Sequence, residues 1–338
     1  MRKLRIMALM HDSLVPPEDA TGRNPEADWR MEYDVTANLR SLGHEVLNVG
    51  CGEDLRVIRQ ALEEWKPNIV FNMLEDFHDI GVFDQNVVSY LELLRVPYTG
   101  CNPRGLMLAR DKGLSKMLLA AHRLPVAEYT VMQIGRKVRR PKRLHFPLIV
   151  KSLTKEASQG ISQASVVDSD DKLTERVQFI HETVGTDAIV ERYIDGREFY
   201  IGVLGNQRLD VFPVWELNLS KMEATWRIAT DRVKWNRAYQ ERHGIKTHEV
   251  RNLNDGLEER IRHLAKRAYN ALSLSGYARI DIRVDADGKI YVLEANPNPQ
   301  LAQGEDFADA AEHSGIKYQE LLQRIVSLGL SWRPERLG

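Results

Sequence analysis

Along the first hundred positions, short apolar runs alternate with stretches of helical spacing. LRIMALM (4–10) is a mostly apolar run that breaks into the polar segment HDSLVPPEDATGRNPEAD. Val35, Leu39 and Leu42 are then spaced for one face of a helix closed by Gly43, and a strand follows through Val49. Residues 54–65 carry helical spacing, PNIVFNML (67–74) reads as a strand, and VFDQNVVSYLELL is an amphipathic helix before the extended VPYTG. Strands alternating with helices predict a parallel sheet covered by helices over 1–104. In such sheets ligands bind at the carboxyl ends of strands, which here include Met10-His11-Asp12 and Leu74-Glu75-Asp76. The loop from His11 to Asp28 is long for a strand-to-helix connection, and that length marks it for function.

From residue 105 the pattern changes. A helix over 111–122 leads to the strands VAEYTVM, FPLIVKS and GISQASVV, a helix from Asp170, and the strands AIVERYI and REFYIGVL. This predicts a small α+β unit over 105–205, dominated by antiparallel strands. A third section, 206–338, holds LDVFPVWEL, a polar aromatic stretch (221–250), a long helix near 256–273 and the hairpin ARIDIRVDADGKIYVLEAN. Asp287-Gly288, flanked by alternating apolar residues, is a strong hairpin turn. Helices near 305–313 and 317–328 close the chain. The fold class is therefore α/β in the first section and α+β in the other two.

Composition narrows the function classes. The 338 residues are 43% apolar and 28% charged, with a formal net charge of -1, so no global field recruits nucleic acid or an anionic membrane. The longest basic run, RKVRRPKR (136–143), lacks aromatic interleaving and reads as a solvated connection before a strand. Cys51 and Cys101 are too few and too far apart for a disulfide framework or a zinc site. No run reaches transmembrane length, and a reduced cytoplasm is the expected setting.

The chemistry concentrates in three places. In the hairpin, Arg279 and Asp281 share one strand face, Glu294 and Asn296 share another, and folding about Asp287-Gly288 sets 281 opposite roughly 294. Two carboxylates, a carboxamide oxygen and a guanidinium then converge. Bare, the carboxylates would repel each other and lose hydration; a hard divalent cation such as Mg²⁺ resolves this. A salt-bridged sheet face with Arg279 paired to Asp281 is the competing arrangement. KSLTKEASQG (151–160) is a strand–loop–strand segment able to fold over phosphates with Lys151 and backbone N–H groups, although it is no Walker loop. VERYIDGREF (190–199) can offer backbone groups to adenine and a carboxylate, Glu198, to ribose hydroxyls; alone, Glu198 would be an ordinary turn acid.

Taken in order, PYTG (97–100), DKGLSKMLL (111–119), LPVAEY (124–129), FPLIVKS with SQGIS (146–162), VERYIDGREF and RIDIRVDADGKIYVLEANPNP resemble the ATP-grasp superfamily, and within it the D-alanine–D-alanine ligase branch. The likeness runs from about residue 67 to 328. It implies an ATP-grasp fold with an N-terminal Rossmann-like parallel-sheet domain. By the same resemblance Lys112 and Lys151 hold ATP phosphates, and Ser158 and Gly160 fall in the phosphate-covering loop. Glu191, Arg192, Tyr193 and Ile194 match the adenine-binding hinge, Glu198 the ribose acid, and Lys234 the lysine that reaches the terminal phosphate. Asp281, Glu294 and Asn296 match the ligands of two Mg²⁺ ions, with Mn²⁺ an alternative, and Arg279 the arginine at the reacting centre.

The implied reaction is carboxylate–amine ligation: ATP converts a carboxylate to an acyl phosphate, an amine attacks through a tetrahedral oxyanion, and ADP and phosphate leave. The cofactors are ATP and Mg²⁺, the partners small carboxylate and amine substrates, and a homodimer through the first domain is a family expectation. Several positions depart from the branch. Glu75-Asp76 replaces its His-Gly pair, Glu18 and Glu32 are the candidates for its N-terminal-loop glutamate, and Glu156-Ala157 stand where Gly and Ser are usual. Gln300 and Glu305-Asp306 fill the places of a glycine and a Ser-Leu that hold the second D-alanine's carboxylate. With His11 and Glu75, Gln300 and Glu305 are the expected substrate-side residues. Either the acceptor presents a cation or a neutral amide there, or the helix near 305 uses these acids at its N-terminus. The departures weigh against D-alanine dipeptide synthesis. An acyl phosphate-forming kinase and a non-turning ATP-binding protein are the other readings. A dinucleotide oxidoreductase is disfavoured, since HDSLVPP, not a GxGxxG turn, follows the first strand.

Overall fold

The computed structural model describes residues 3–18, 24, 26–155, 160–219, 222, 226–230, 232–233, 236–250, 253 and 255–334. Three sheets organise them. In the first, β1 (Arg5–Met10) lies between β2 (Glu45–Gly50) and β3 (Ile69–Asn72), all parallel. A parallel bridge from Val70 to Tyr98, within the extended VPYTG segment, continues the far edge. Helices α1 (Arg30–Ser41), α2 (Leu55–Trp65) and α3 (Asp84–Leu93) connect these strands. Every residue of β3 and all but the first of β1 are buried. That explains why both read as apolar blocks rather than alternating strands.

The second sheet has the order β4 (Tyr129–Met132), β7 (Ala188–Arg192), β5 (Leu148–Ser152), β6 (Val166–Val167), all antiparallel. Before it come α4 (Pro103–Arg110) and α5 (Lys112–Ala121), and α6 (Asp170–Phe179) packs against β5. The third sheet runs β11 (Lys246–Glu249), β10 (Trp215–Asn218), β8 (Arg197–Leu204), β12 (Tyr277–Val284), β13 (Ile290–Pro297), with β9 (Asp210–Val211) beside β8. The strand REFYIGVL, grouped above with 105–205, is β8 and pairs with β10 and β12, so the third sheet begins at Arg197. Helices α7 (Arg237–His243), α8 (Asp255–Ala271), α9 (Asp306–His313) and α10 (Tyr318–Ser331) complete the described residues.

Two apolar cores cross these boundaries. One joins Leu9 and Val70 of the first sheet to Ile201, Ile280 and Val292 of the third. The other joins Ile6, Phe71 and Val35 to Phe212, Phe307, Leu321 and Ile325. A third, smaller cluster, around Leu148, Val150, Leu173, Val177 and Val190, lies under the second sheet alone. The hinge strand β7 and the hairpin β12–β13 meet across a cleft, and a parallel bridge from Val126 to Val292 ties the two sheets at its side.

Candidate active site

Strand alternation builds one wall of the cleft. The register pairs Asp281 with Glu294 and Arg279 with Asn296, so the four polar groups anticipated on the hairpin do share one patch. Between Asp281 and Ile282 the register slips by one residue, and Leu293 is the extra residue of a bulge beside Glu294. Arg279 grips Asp281 with two hydrogen bonds, Nε to Oδ1 at 2.7 Å and Nη2 to Oδ2 at 3.0 Å, lies 4.3 Å over the Tyr200 ring, and reaches Asp306 at 3.6 Å. The salt-bridged face weighed against a metal site is therefore present. Such a pair does not by itself bar a cation, because a carboxylate offers about four lone-pair directions. At Asn296 the amide Nδ2 is buried without a hydrogen-bond partner among the described residues; turning the amide over would place its carbonyl oxygen there. A donor set of two carboxylates and one amide oxygen, with no nitrogen or sulfur, fits Mg²⁺.

The opposite wall comes from α5, β5 and β7. Lys112, at the N-terminus of α5, is buried, and its Nζ donates to the carbonyl of Lys155 at 2.7 Å, pinning the start of the 151–160 loop. Lys151 points from β5 toward Glu191, Nζ to Oε1 at 3.7 Å. Burial works against the lysine's charge, but Glu191, Glu294 and Glu198 outweigh it and hold its pKa above the ordinary value. Burial likewise opposes ionisation of Glu191, and Lys116 with Lys151 more than reverses this, keeping its carboxyl below the usual range. The result is a cleft with fixed cations, suited to polyphosphate.

The hinge after β7 is partly committed. Arg192 N–H donates to Glu128, Tyr193 N–H donates to Pro147, and the Ile194 carbonyl accepts from Arg283. Tyr193 also packs edge-on to Trp226 at 5.2 Å. Glu198 is buried, with one oxygen paired to Arg283 and the other accepting from Tyr200 Oη at 3.2 Å. Gly160 ends the phosphate-loop segment with φ +74, and its carbonyl accepts from Arg176. Ser158 and Lys234 lie outside the described residues, as do Glu156 and Ala157.

Two residues at or behind the cleft went unnoticed in the sequence. Arg283 is two places beyond Asp281 on the same strand face, a position that alternation marks. Lys116 is four places after Lys112 on α5 and is 1% exposed.

The substrate-side residues gather at the strand ends of the first sheet. His11 Nε2 lies 3.8 Å from Asp76 and 3.9 Å from Asp79, while the Ser13 N–H donates to Nδ1. Asp12 Oδ1 also lies 3.1 Å from Nδ1, so carboxylates flank the ring on both sides. The ligand-type atoms of His11, Asp76 and Asp79 lie within 4.8 Å of one another. Glu75 and Glu18 are exposed; Glu32, in the first turn of α1, is buried. Glu305 pairs with Arg30 of α1, and Gln300 Oε1 accepts from Ala302 N–H at 3.3 Å. The acids at 305–306 are thus compensated, Glu305 by Arg30 and Asp306 by Arg279. Glu305 also occupies the N-cap position of α9 without a side-chain capping bond.

A family model described as D-ala D-ala ligase C-terminus matches residues 118–327. The chain belongs to the D-alanine–D-alanine ligase family. Within it, a relative named D-alanine–D-alanine ligase, from Desulforudis audaxviator, is 30% identical over 309 residues, covering 90% of this chain and 94% of that one. An uncharacterised protein, y4sG, of Sinorhizobium fredii is 31% identical over 315 residues, covering 90% and 89%. The solved Bacillus anthracis D-alanine–D-alanine ligase complexed with ATP superposes with a TM-score of 0.75 at 23% identity, covering 97% of each chain. The family places the protein among ATP-grasp, ATP-binding ligases. No helix among the described residues is long and apolar enough to cross a membrane.

Proposed function

We propose that the protein joins a carboxylate to an amine through an acyl phosphate, consuming ATP, and that its preferred pair is not D-alanine with D-alanine. One observation carries the chemistry: the Arg279–Asp281 pair faces Asn296 and Glu294 across β12–β13, on the wall opposite Lys112 and Lys151. A carboxylate is anionic and has a poor leaving group, so it must be activated before an amine can displace oxygen. Lys112 and Lys151 would orient the polyphosphate and offset its charge during transfer. Mg²⁺ held by Asp281, Glu294 and Asn296 would supply charge neutralisation at the transferred phosphoryl group. Arg279, fixed by Asp281 and Tyr200, would face the oxyanion that forms when the amine attacks, a contact worth roughly 3 kcal/mol when preorganised. Glu32, a buried carboxylate lacking a hydrogen-bond partner among the described residues, suits a substrate ammonium group.

The position expected to hold an acceptor carboxylate carries the Arg30–Glu305 pair. This supports an acceptor whose far end is an amide or another uncharged group. Arg30 also supports the second reading, D-alanine dipeptide synthesis, because a cation is at hand if Glu305 swings away.

Release of ADP, with Mg²⁺ and ATP, against pooled amino acids, amino acid amides and short peptides, with hydroxylamine as trap, tests both. Hydroxamate formation from a carboxylate without D-alanine would uphold the first reading. Turnover confined to D-alanine would establish the second. Absence of ADP release in every pool would refute ligation of these classes.

A further inference from the structure

We infer that Lys116 is a positioning residue that sets the cleft's selectivity for a purine bearing a 6-amino group. This rests on the reading of the cleft as the ATP seat. Lys116 is 1% exposed and lies behind Glu191, out of reach of any ligand. Its Nζ sits 3.0 Å from Glu191 Oε2 and donates to the Leu293 carbonyl at 3.1 Å. Leu293 is the bulged residue next to Glu294, so one ammonium spans the hinge strand β7 and the strand carrying two of the proposed metal ligands.

The contact fixes which way Glu191 turns. Oε2 faces Lys116, while Oε1 of this cleft-lining residue is buried with no hydrogen-bond partner among the described residues and lies 3.7 Å from Lys151. Freed from Lys116, the carboxylate would rotate to close both oxygens on Lys151, the remaining nearby cation. Held as it is, Oε1 presents a charged acceptor to whatever base enters beside Tyr193 and Ile194. An exocyclic amine donates to it. A 6-oxo group in the same place would set a carbonyl oxygen against a buried anion, with no proton to share. A buried ion pair is by itself weak evidence for a role in stability.

Binding of ADP and of IDP to the full chain, measured by calorimetry, tests this with no carboxylate or amine present, so the result does not depend on the ligase reaction. Wild type is expected to prefer ADP by about 10- to 100-fold, the range for a hydrogen bond to a charged group. Lys116→Met should weaken ADP until it approaches IDP, with IDP changed by less than about twofold on the same reasoning, while Lys116→Arg keeps the preference. If Lys116→Met does not fold, the double variant Lys116→Met with Glu191→Gln removes both charges, and it too should lose the preference, because an amide can donate as well as accept. Parallel weakening of ADP and IDP in Lys116→Met would mark a merely structural lysine and overturn the proposal. So would an unchanged ratio, or wild type binding both equally. Failure of wild type to bind either nucleotide would overturn the cleft assignment and the proposal together.

Discussion

Glu32→Gln should stabilise the substrate-free protein at alkaline pH and leave it unchanged in acid. Glu32 is 1% exposed, and neither carboxylate oxygen has a hydrogen-bond partner among the described residues. Burial pushes its pKa from 4.5 up to about 7, its own backbone N–H opposing and the Glu75 charge adding to the rise. In the unfolded chain the group ionises near 4.5; in the folded chain it holds its proton to about 7. The folded state's advantage at this group is therefore complete below about 4.5, falls as pH rises, and is gone above about 7. A rise from 4.5 to about 7 corresponds to roughly 3 kcal/mol. The amide variant cannot ionise and escapes that loss, so it should exceed wild type by up to about 3 kcal/mol at pH 8, a Tm gain of several degrees. Urea midpoints for both proteins at pH 5, 6, 7 and 8 read this directly. A gap that does not open with pH would refute the argument, since a packing effect would be the same throughout. If Glu32 meets a substrate ammonium, the same variant binds that substrate more weakly, exchanging affinity for stability.

Asp281→Asn should raise the Mg²⁺ requirement and lower turnover by about 100-fold or more; an unchanged Mg²⁺ titration would remove Asp281 from the metal set. Gly276→Ala should cost about 2 kcal/mol or more, read as a fall in Tm, because Gly276 sits at φ +71 and a Cβ there would lie 2.4 Å from the Gly100 carbonyl. Glu305→Ser leaves Arg30 unpaired and should improve D-alanine as acceptor by about tenfold; a fall in D-alanine use would show that Glu305 does not guard against an acceptor carboxylate.

Much of the fold was legible because local chemistry and packing agree. The hairpin announced itself through strict alternation and Asp287-Gly288, and the expected pairing of 281 with 294 is the observed register. Helix α4 was overlooked, although Asn102 caps Gly105 and Pro103 opens the first turn, since its apolar residues form no long periodic run. Leu293's bulge has no local signature; its carbonyl accepts from Lys116 of α5. Lys116 looks, in sequence, like any solvated helix lysine, and only the burial of that face sets it behind Glu191. The Arg30–Glu305 pair joins residues far apart in the chain, which no pattern within a window can reveal. Lys234 and Ser158, assigned by likeness alone, lie outside the described residues.

The last helix completes the first sheet. Leu321, Leu322, Ile325 and Val326 of α10 share a core with Ile6, Ala8 and Phe71, and Gly329 lies so close to the Tyr98 backbone that a Cβ would come 2.3 Å from its carbonyl oxygen. Trp332 Nε1 reaches back to Glu92 at 3.2 Å. On the ribosome, the N-terminal strands therefore emerge first and wait, with one apolar face uncovered, while more than two hundred further residues are made. At about 5–20 residues per second that delay is on the order of tens of seconds. During it, the strands Arg5–Met10 and Ile69–Asn72 leave that apolar face open to other chains, so the nascent chain is more exposed to aggregation than the folded protein.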